Sequence, residues 1–407
     1  MIIAIIGGGA AGMMAALTAS QQPQQEIFLL ERQARVGRKL LATGNGRCNL
    51  SNYAISRENY HGMEPEFSDY ALAQFDVEQT LAFFRELGLF TVAEDSGRIY
   101  PFSNAANSVV DVLRLELETR PNVQILCGME VTRIRPGAPF TLFTQTGSLT
   151  ADRVIVTAGG IAGSKLGGTM SGYHLLKELG HSCTKLYPSL VQLQTDPTYP
   201  RSLKGVRAEG IVTLCAGGKK LARQQGEIQF TEFGISGPAV FALSRWASPP
   251  RPDMEAMLDL MPDLPQPQIV DALRRRQQQR GSRNAEDLLT GMLHNRLGRT
   301  LLRYAGCPLT KSIASLQPKE LHAIASAVKQ MHLPVTGVMG MDAAQVTAGG
   351  IRTDEFDPHT LESRLVPGLY AAGELLDIDG DCGGYNLQWA WSSGHLAGQL
   401  HQRRDTP

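Results

Sequence analysis

A glycine-rich turn near the start of the chain constrains the fold more than any other sequence feature. The apolar run Ile2–Ile6 predicts a parallel strand buried on both faces, and the letters GGGAAG that follow it match the pattern G-x-G-x-x-G. A helix rich in alanine, methionine and leucine is predicted over Met13–Ser20, and a second strand over Glu26–Leu30. Strand, turn, helix and strand in this order predict a dinucleotide-binding βαβ unit.

The residues of this unit have defined roles toward a dinucleotide. Gly7 makes the tight turn, Gly9 admits a pyrophosphate to backbone N–H groups, and Gly12 lets the helix approach the strand. Glu31 ends the second strand, where its carboxylate can accept a hydrogen bond from a ribose hydroxyl. The predicted cofactor-binding residues of this unit are Gly7, Gly9, Ala11, Gly12, Glu31 and Arg32.

The segment RKLLATGNGRCN, residues 38–49, brings cations to the region that follows the predicted pyrophosphate site. Glycine and asparagine favour turns, so a solvated loop is the simpler interpretation. Arginine forks nevertheless suit phosphate oxygens, and long ordered loops usually carry function. The predicted cofactor-binding residues of this loop are Arg38, Lys39, Leu40, Gly44 and Arg47.

A short strand near the other end of the chain, within Val366–Gly373, is followed by Glu374 and leads through GDCGGYN into a predicted helix. In FAD proteins of the glutathione-reductase type, such a strand contacts the ribityl-pyrophosphate chain and the next helix directs its N-terminus at the flavin. FAD is therefore the predicted cofactor. Small residues along this helix, among them Gly394, also predict close packing against a neighbouring element. The further predicted cofactor-binding residues are Val131, Ala158, Gly159, Gly373, Glu374, Gly384, Asn386, Leu387 and Gln388.

These motifs together resemble those of the YhiN/BaiN family of bacterial flavoproteins, some of which are described as aminoacetone oxidase-like. The resemblance covers essentially the whole chain and depends on GGGAAG, GRKLLATGNGRCN, VTAGGI, FTEFGISGP and GLYAAGELLDIDGDCGGYNLQWAWSSG. It implies an α/β fold: a glutathione-reductase-type FAD-binding Rossmann domain with an inserted β-rich domain and a helical domain. Many relatives carry histidine where this chain has Glu232, so no role is transferred to that side chain.

The implied domain boundaries agree with the periodicity of the sequence. Period-two alternation follows Pro188, and a helical pattern follows Gln266 until glycine-rich turns return near Val335. The predicted segments are an FAD-binding domain over 1–188 and 348–407, a β-rich domain over 189–262 with a return segment over 335–347, and a helical domain over 263–334.

Composition and residue spacing argue against a metal-binding, secreted or membrane-spanning protein. The formal net charge is zero, so overall charge argues neither for nor against a polyanionic partner. The six cysteines form no C-x-x-C pair and the histidines no zinc-ligand spacing, so we expect reduced thiols and no metal. No basic leader precedes the first strand and no apolar run is long enough to span a membrane, so we expect a cytoplasmic protein.

The helical segment has a local excess of positive charge. Nine cations against three acids lie between Gln266 and Lys311. Such a run is usually a solvated face, but it also suits phosphate contacts. Ribosomal RNA is therefore a candidate partner, with the predicted contacts Arg274, Arg275, Arg276 and Arg280.

The sequence leaves three functions open. A second dinucleotide fingerprint is missing, so a nicotinamide donor, NAD(P)H, would dock transiently on the flavin. The favoured hypothesis is an NAD(P)H-driven reductase of an activated C=C bond, with uridine in ribosomal RNA (giving dihydrouridine) as one candidate substrate. The alternatives are a small-amine oxidase of the aminoacetone type that produces hydrogen peroxide, and a non-catalytic flavin-bearing RNA-binding factor. The relatives' links to dihydrouridine synthesis and to alkene reduction in bile-acid-like substrates support the first.

Two thiols are candidate proton donors for such a reductase. Cys48 lies in the cationic loop and Cys382 in the turn before the last helix, and both loops resemble ones that contact flavin. A thiol is mostly protonated at neutral pH and can protonate a carbanion. A helix N-terminus would lower the pKa of Cys382, so Cys48 is the first candidate and Cys382 the second. The alternative is that both are small apolar packing residues.

Overall fold

The computed structural model describes residues 1–401 of the 407-residue chain. The chain divides into two compact units, one formed by Met1–Tyr187 together with the segment that begins at Gln345, the other by Pro188–Ala344. The strands of the first unit are β1 (Ile2–Ile6), β2 (Glu26–Glu31), β3 (Ser51–Asn52), β4 (Tyr60–His61), β5 (Thr91–Ala93), β6 (Arg98–Pro101), β7 (Val123–Cys127), β8 (Val131–Arg135), β9 (Phe140–Thr144), β10 (Gly147–Ala151) and β11 (Arg153–Val156). β12 (Tyr187–Ser189) crosses the boundary between the units.

The second unit contains β13 (Leu193–Thr195), β14 (Arg207–Ala216), β15 (Lys219–Phe230), β16 (Gly234–Ser236), β17 (Met254–Asp259) and β18 (Met331–Val338). The chain then returns to the first unit through β19 (Val346–Ala348), β20 (Leu369–Ala371) and β21 (Asp379–Gly380). The helices of the first unit are α1 (Ala10–Ala19), α2 (Ser68–Gln74), α3 (Val77–Glu86), α4 (Ala106–Thr119), α5 (Ser171–Glu178) and α10 (Tyr385–Gly398). Those of the second are α6 (Pro238–Ser244), α7 (Gln266–Arg280), α8 (Asn295–Tyr304) and α9 (Pro318–Lys329).

A five-stranded parallel sheet organises the first unit, with the strand order β20-β11-β1-β2-β7. β1 is buried along nearly its whole length, as expected for the central strand of a sheet that is covered on both faces. Because all five strands run the same way, their carboxyl ends meet at one edge, where ligands of such sheets bind. The predicted Rossmann-type α/β fold is confirmed.

Helices α1 and α10 pack unusually closely in this unit. A Cβ atom added to Gly394 would lie 2.4 Å from the backbone oxygen of Ala11, and one added to Gly398 would lie 2.6 Å from that of Ala15. Backbone atoms cannot move aside at such distances, so only glycine fits at these two crossings. The prediction that Gly394 permits close packing is confirmed, and α1 is the neighbour. This contact ties the last helix to the start of the chain.

The second unit is a closed barrel of six strands in the order β13-β16-β15-β14-β17-β18, accompanied by helices α6 to α9. Barrel residues such as Leu214 and helix residues such as Leu273 and Leu301 belong to one hydrophobic core. The segments predicted as separate β-rich and helical domains thus share a core within one compact unit. Along residues 1–401, every helix is too short or too polar to cross a membrane.

Candidate cofactor-binding site

A large cleft opens at the carboxyl edge of the parallel sheet, within the first unit. It encloses about 1300 Å³ of space, including the solvent at its mouth. Fifteen of the predicted cofactor-binding residues line it. They are Gly7, Gly9, Ala11, Glu31, Arg32, Arg38, Lys39, Leu40, Val131, Ala158, Gly159, Gly373, Glu374, Asn386 and Leu387.

The glycine fingerprint shapes one wall of this cleft. Gly7 has a φ of +108°, and a Cβ there would lie 2.6 Å from the carbonyl oxygen of Thr157, so the turn requires glycine. A Cβ on Gly12 would lie 1.8 Å from the carbonyl oxygen of Gly7, which explains why this residue packs inside the helix turn and does not line the cleft. Gly9 differs, because an added Cβ would meet nothing within 4 Å. Bare backbone therefore faces open space at the start of α1, as a pyrophosphate site requires.

The carboxylate of Glu31 is held firmly at the end of β2. Its Oε2 accepts from the N–H of Gly8 at 2.8 Å, and its Oε1 accepts from the N–H of Gln33 at 2.7 Å. Each carboxylate oxygen has further acceptor capacity, and the residue lines the cleft. Arg32 has a different role from its neighbour, since its Nη2 donates to the carbonyl oxygen of Gly167 at 2.9 Å.

Lys39 and Glu374 meet across the cleft wall. Lys39 Nζ lies 2.7 Å from Glu374 Oε2, while Glu374 Oε1 accepts from the N–H of Thr347 at 2.8 Å. Gly373 is fastened to the last helix, because its N–H donates to Ser393 Oγ at 3.0 Å and its carbonyl accepts from Trp389 Nε1 at 3.1 Å. Two segments from opposite ends of the sequence thus form one rigid rim.

The N-terminus of α10 completes the other end of the cleft. Gly384 precedes the helix with a φ of +102°, and a Cβ there would lie 2.4 Å from the carbonyl oxygen of Ser51. The first-turn amides of a helix lack partners within the helix, and Asn386 and Leu387 of this turn line the cleft. A helix start with its partial positive charge therefore contributes to the wall, as the sequence predicts.

Five of the predicted residues lie outside the cleft lining: Gly12, Gly44, Arg47, Gly384 and Gln388. Gln388 is fully buried and donates to the carbonyl oxygen of Phe75, to Thr80 Oγ1 and to Ser392 Oγ. Its amide is therefore occupied within the protein core. Arg47 stacks 4.0 Å from the ring of Tyr100 and pairs with Glu94 at 2.8 Å on the surface. Both side chains thus have partners within the protein, and the Gln388 backbone N–H, the group predicted to face the flavin, donates to the carbonyl oxygen of Gly384 at 3.0 Å.

Neither candidate thiol lines the cleft. Cys48 is fully buried with a φ of +61°, and burial raises the pKa of its thiol to about 12 although a hydrogen bond with Thr43 acts in the opposite direction. Burial likewise raises the pKa of the Cys382 thiol, against the nearby charge of Arg98. The helix N-terminus was expected to lower this pKa, and the structure gives the opposite direction because loss of hydration dominates.

Two further segments that were not predicted from the sequence form part of the cleft wall. Leu166–Thr169 lines the cleft, as do Gln345 and Val346 from the segment that returns to the first unit. The run GGIAGSKLGG after β11 is a glycine-rich signal that could have indicated the first of these segments. Gln345 and Val346 lack such a signal, because their position depends on where the chain re-enters the unit.

The residues of the cleft fit FAD. Bare backbone at Gly9 leaves room for a pyrophosphate, Glu31 presents carboxylate oxygens for a ribose, and the start of α10 presents amides for the flavin ring. When bound, FAD supplies reversible two-electron chemistry. Among residues 1–401, no three His, Cys, Asp or Glu side chains cluster so as to hold a metal ion.

The arginines predicted to contact RNA lie on α7, in the second unit. Arg274 and Arg275 are exposed, and Arg274 lies 3.4 Å from Asp271. Arg276 instead donates at 2.8 Å to each of the carbonyl oxygens of Leu288 and Thr290, and burial lowers its pKa. Its Nη1 group thus has a structural role inside the unit, which Arg274 and Arg275 lack on the exposed face. Glu232, where many relatives carry histidine, forms an exposed ion pair with Lys204 at 2.7 Å.

The amino-acid sequence of the whole chain is similar to those of known proteins. Residues 1–400 match the family described as HI0933-like protein Rossmann domain. The chain is 40% identical over 407 residues to 3-dehydro-bile acid delta(4,6)-reductase of Clostridium scindens, an alignment that covers 99% of each protein. It is 29% identical over 399 residues to ribosomal RNA dihydrouridine synthase of Escherichia coli, covering 97% of this chain and 96% of that protein. The protein of the same name from Haemophilus influenzae is 28% identical over 400 residues and 96% of each chain. The chain therefore belongs to the HI0933-like family and is an FAD-dependent oxidoreductase.

Proposed function

We propose that the protein reduces a C=C bond that is conjugated to a carbonyl group. The observation that carries this proposal is the 40% identity, over 99% of both chains, with a reductase whose name specifies the C4 and C6 double bonds of a 3-dehydro-bile acid. A uracil ring presents the same electronic unit, because its C5=C6 bond is conjugated to a carbonyl. One chemistry therefore covers the substrates named for all three relatives.

This chain's own residues prepare such a reaction. Glu31 and the turn at Gly9 would hold the adenosine diphosphate half of the cofactor, and the rim formed by Lys39 and Glu374 would fix its middle. The amides at the start of α10 would stabilise negative charge that develops at the pyrimidine edge of the reduced ring. A steroid-like enone is the substrate class we favour, since the relative with that substrate shares more identical residues than the two that act on RNA.

Steady-state assays test this proposal. Under anaerobic conditions, NAD(P)H should be consumed when a 3-oxo-4,6-diene bile acid is added, and the product should gain two hydrogens. Consumption of NAD(P)H only with ribosomal RNA would favour the uridine substrate. Formation of peroxide that depends on an amine and oxygen, without reduction of either substrate, would contradict the proposal and favour the oxidase.

A separate experiment tests whether the arginines of α7 bind RNA. Replacing the exposed Arg274, Arg275 and Arg280 with glutamine should weaken RNA binding and make the slope of log K against log salt concentration shallower by about 0.7–0.9 for each lost phosphate contact. Arg276 is left unchanged because it has a structural role. An unchanged affinity and salt slope would mean that these arginines form a solvated face.

A further inference from the structure

His61 and Asp381 form a close pair near the start of α10, the helix whose N-terminus lines one end of the cleft. Strands β4 and β21 form a two-stranded antiparallel ribbon in which His61 lies opposite Asp379. Two residues further on, Asp381 Oδ1 lies 2.8 Å from His61 Nε2. Asp381 Oδ2 accepts from Asn59 Nδ2 at 3.2 Å, and the Asp381 N–H donates to the Asn59 carbonyl oxygen at 2.9 Å. The carboxylate is therefore oriented from both sides.

The other ring nitrogen of His61 is available. Within the part of the chain that the structure describes, no protein group hydrogen-bonds His61 Nδ1. The side chain is 22% exposed, so the ring is sheltered but open to solvent or a ligand. One nitrogen held by a carboxylate and a second nitrogen left open is the arrangement by which histidines transfer protons.

The ribbon is fastened to the wall of the cleft. Asn386, which lines the cleft, donates through Nδ2 to the carbonyl oxygens of Gly380 at 2.7 Å and Asp381 at 3.2 Å. Its Oδ1 accepts from the N–H of Gly380 at 2.8 Å. Tyr60, beside His61, donates its hydroxyl to the carbonyl oxygen of Tyr385 at 3.1 Å. His61, like the two thiols, is not among the residues that line the cleft, but its ribbon and the start of α10 are one hydrogen-bonded unit, which joins the pair to the end of the cleft where α10 begins.

The two thiols predicted as proton donors are less suited to this task. Cys48 is fully buried, so a substrate cannot contact it without a rearrangement of its loop. Cys382 is partly exposed, but burial of its sulfur raises its pKa, which makes it a weaker acid than a free cysteine.

We propose that His61 protonates the substrate in the reduction described above, and that Asp381 positions its ring; the inference rests on the proposed function. The β-carbon of the enone accepts a hydride, with its electron pair, from the reduced flavin. The π electrons of the C=C bond move to the α-carbon. That carbon forms a C–H bond as the Nδ1–H bond of His61 breaks, and water returns a proton to the ring. The product is the saturated ketone.

Single-turnover kinetics test this assignment. The holoprotein is reduced with dithionite, mixed anaerobically with a 3-oxo-4,6-diene bile acid, and flavin reoxidation is followed. His61→Ala and His61→Gln should slow reoxidation by about 10²-fold or more, and added imidazole should restore part of the rate of His61→Ala. His359→Ala is the matched control, because His359 also lies beside an aspartate, Asp357 at 3.7 Å, but with a side chain that is 65% exposed. This control should reoxidise at the wild-type rate.

A spectroscopic measurement gives a second readout that does not depend on turnover. In ¹⁵N spectra of the oxidised holoprotein, the His61 ring should carry its proton on Nε2 when neutral, and Asp381→Asn should abolish that preference. Addition of the saturated ketone should shift the Nδ1 signal of the wild-type protein. Unchanged flavin content and melting temperature in each variant show that folding is intact.

Failure of the proposed function and failure of the His61 assignment give different results in these experiments. A wild-type protein that reduces neither the enone nor uridine in ribosomal RNA contradicts the proposed function and this assignment with it. A wild-type protein that reduces the enone, with His61 variants equally fast or not rescued by imidazole, overturns this assignment alone. Loss of reduction in Cys48→Ala or Cys382→Ala, with His61→Ala unaffected, would instead identify a thiol as the donor.

Discussion

Lys39 Nζ and Glu374 Oε2 lie 2.7 Å apart, although 335 positions separate the two residues in the sequence. Both residues line the cleft, and their side chains are only 28% and 20% exposed. A pair this sheltered interacts more strongly than one on the open surface, because water screens it less. The wall of the cofactor site is thus joined from the two ends of the chain.

Breaking this pair should weaken FAD binding. Lys39→Met leaves the Glu374 carboxylate without its lysine partner. FAD binding should therefore weaken by about 1–2 kcal/mol. Titration of the apoprotein with FAD, followed by flavin fluorescence, measures the change. Lys204→Met is the control, since it breaks a pair of equal length, 2.7 Å, on the surface of the other unit. An equal dissociation constant in Lys39→Met and the wild type would contradict the prediction.

Glu31 should also contribute directly to cofactor affinity. Glu31→Ala removes the acceptor of the predicted ribose hydrogen bond and leaves the N–H groups of Gly8 and Gln33 without their partners. We expect FAD binding to weaken by about 1–3 kcal/mol. Glu26→Ala, an exposed acid at the other end of the same strand, should retain the wild-type affinity measured by the same titration. A dissociation constant for FAD in Glu31→Ala equal to that of the wild type would contradict this role.

The crossing of α1 and α10 should be intolerant of one added methyl group. Gly394→Ala places a Cβ 2.4 Å from the Ala11 backbone oxygen, so the helices must separate and the free energy of unfolding should fall by about 1–3 kcal/mol. Gly340→Ala is the matched control, because a Cβ there meets nothing within 4 Å. Chemical denaturation of both variants measures the difference. A Gly394→Ala protein as stable as Gly340→Ala would mean that the helices are not in this close contact.

Arg276 should contribute to the stability of the folded protein, whereas its neighbour Arg275 should not. Arg276→Ala orphans the carbonyl oxygens of Leu288 and Thr290, so the free energy of unfolding should decrease by about 1–3 kcal/mol. Arg275→Ala removes an exposed charge and should stay within about 0.5 kcal/mol of the wild type. Thermal denaturation compares the two, and equal melting temperatures would contradict the distinction.

Most of the predicted cofactor-binding residues line the cleft because local patterns determine their positions. The turn at Gly7, the start of α1 and the strand that ends at Glu31 depend on residues close together in the chain. The role of Gln388 could not be predicted in this way, since its partners Phe75 and Thr80 belong to a distant segment. A helical period places Gln388 on α10 but does not say which face of α10 meets the core.

Partners that are distant in the sequence also could not be predicted for the arginines of α7 and for the proposed proton donor. Of three consecutive arginines on α7, the helical period puts Arg276, three residues after the buried Leu273, on the inner face, but no local pattern identifies the 288–290 loop as its partner. His61 and Asp381 lie 320 positions apart and meet through the pairing of β4 with β21, strands of two residues each. Strands this short have no periodicity, so no sequence pattern indicates their partner.

The proposed function requires that the reduced protein transfer electrons to a C=C bond that is conjugated to a carbonyl. Protein reduced with dithionite, without NAD(P)H or oxygen, should reoxidise on mixing with a 3-oxo-4,6-diene bile acid, and mass spectrometry should find one molecule of product, heavier by two hydrogens, per flavin. A saturated bile acid should leave the flavin reduced. A flavin that stays reduced with the diene and with ribosomal RNA, and reoxidises only when oxygen is admitted, would contradict the proposed function.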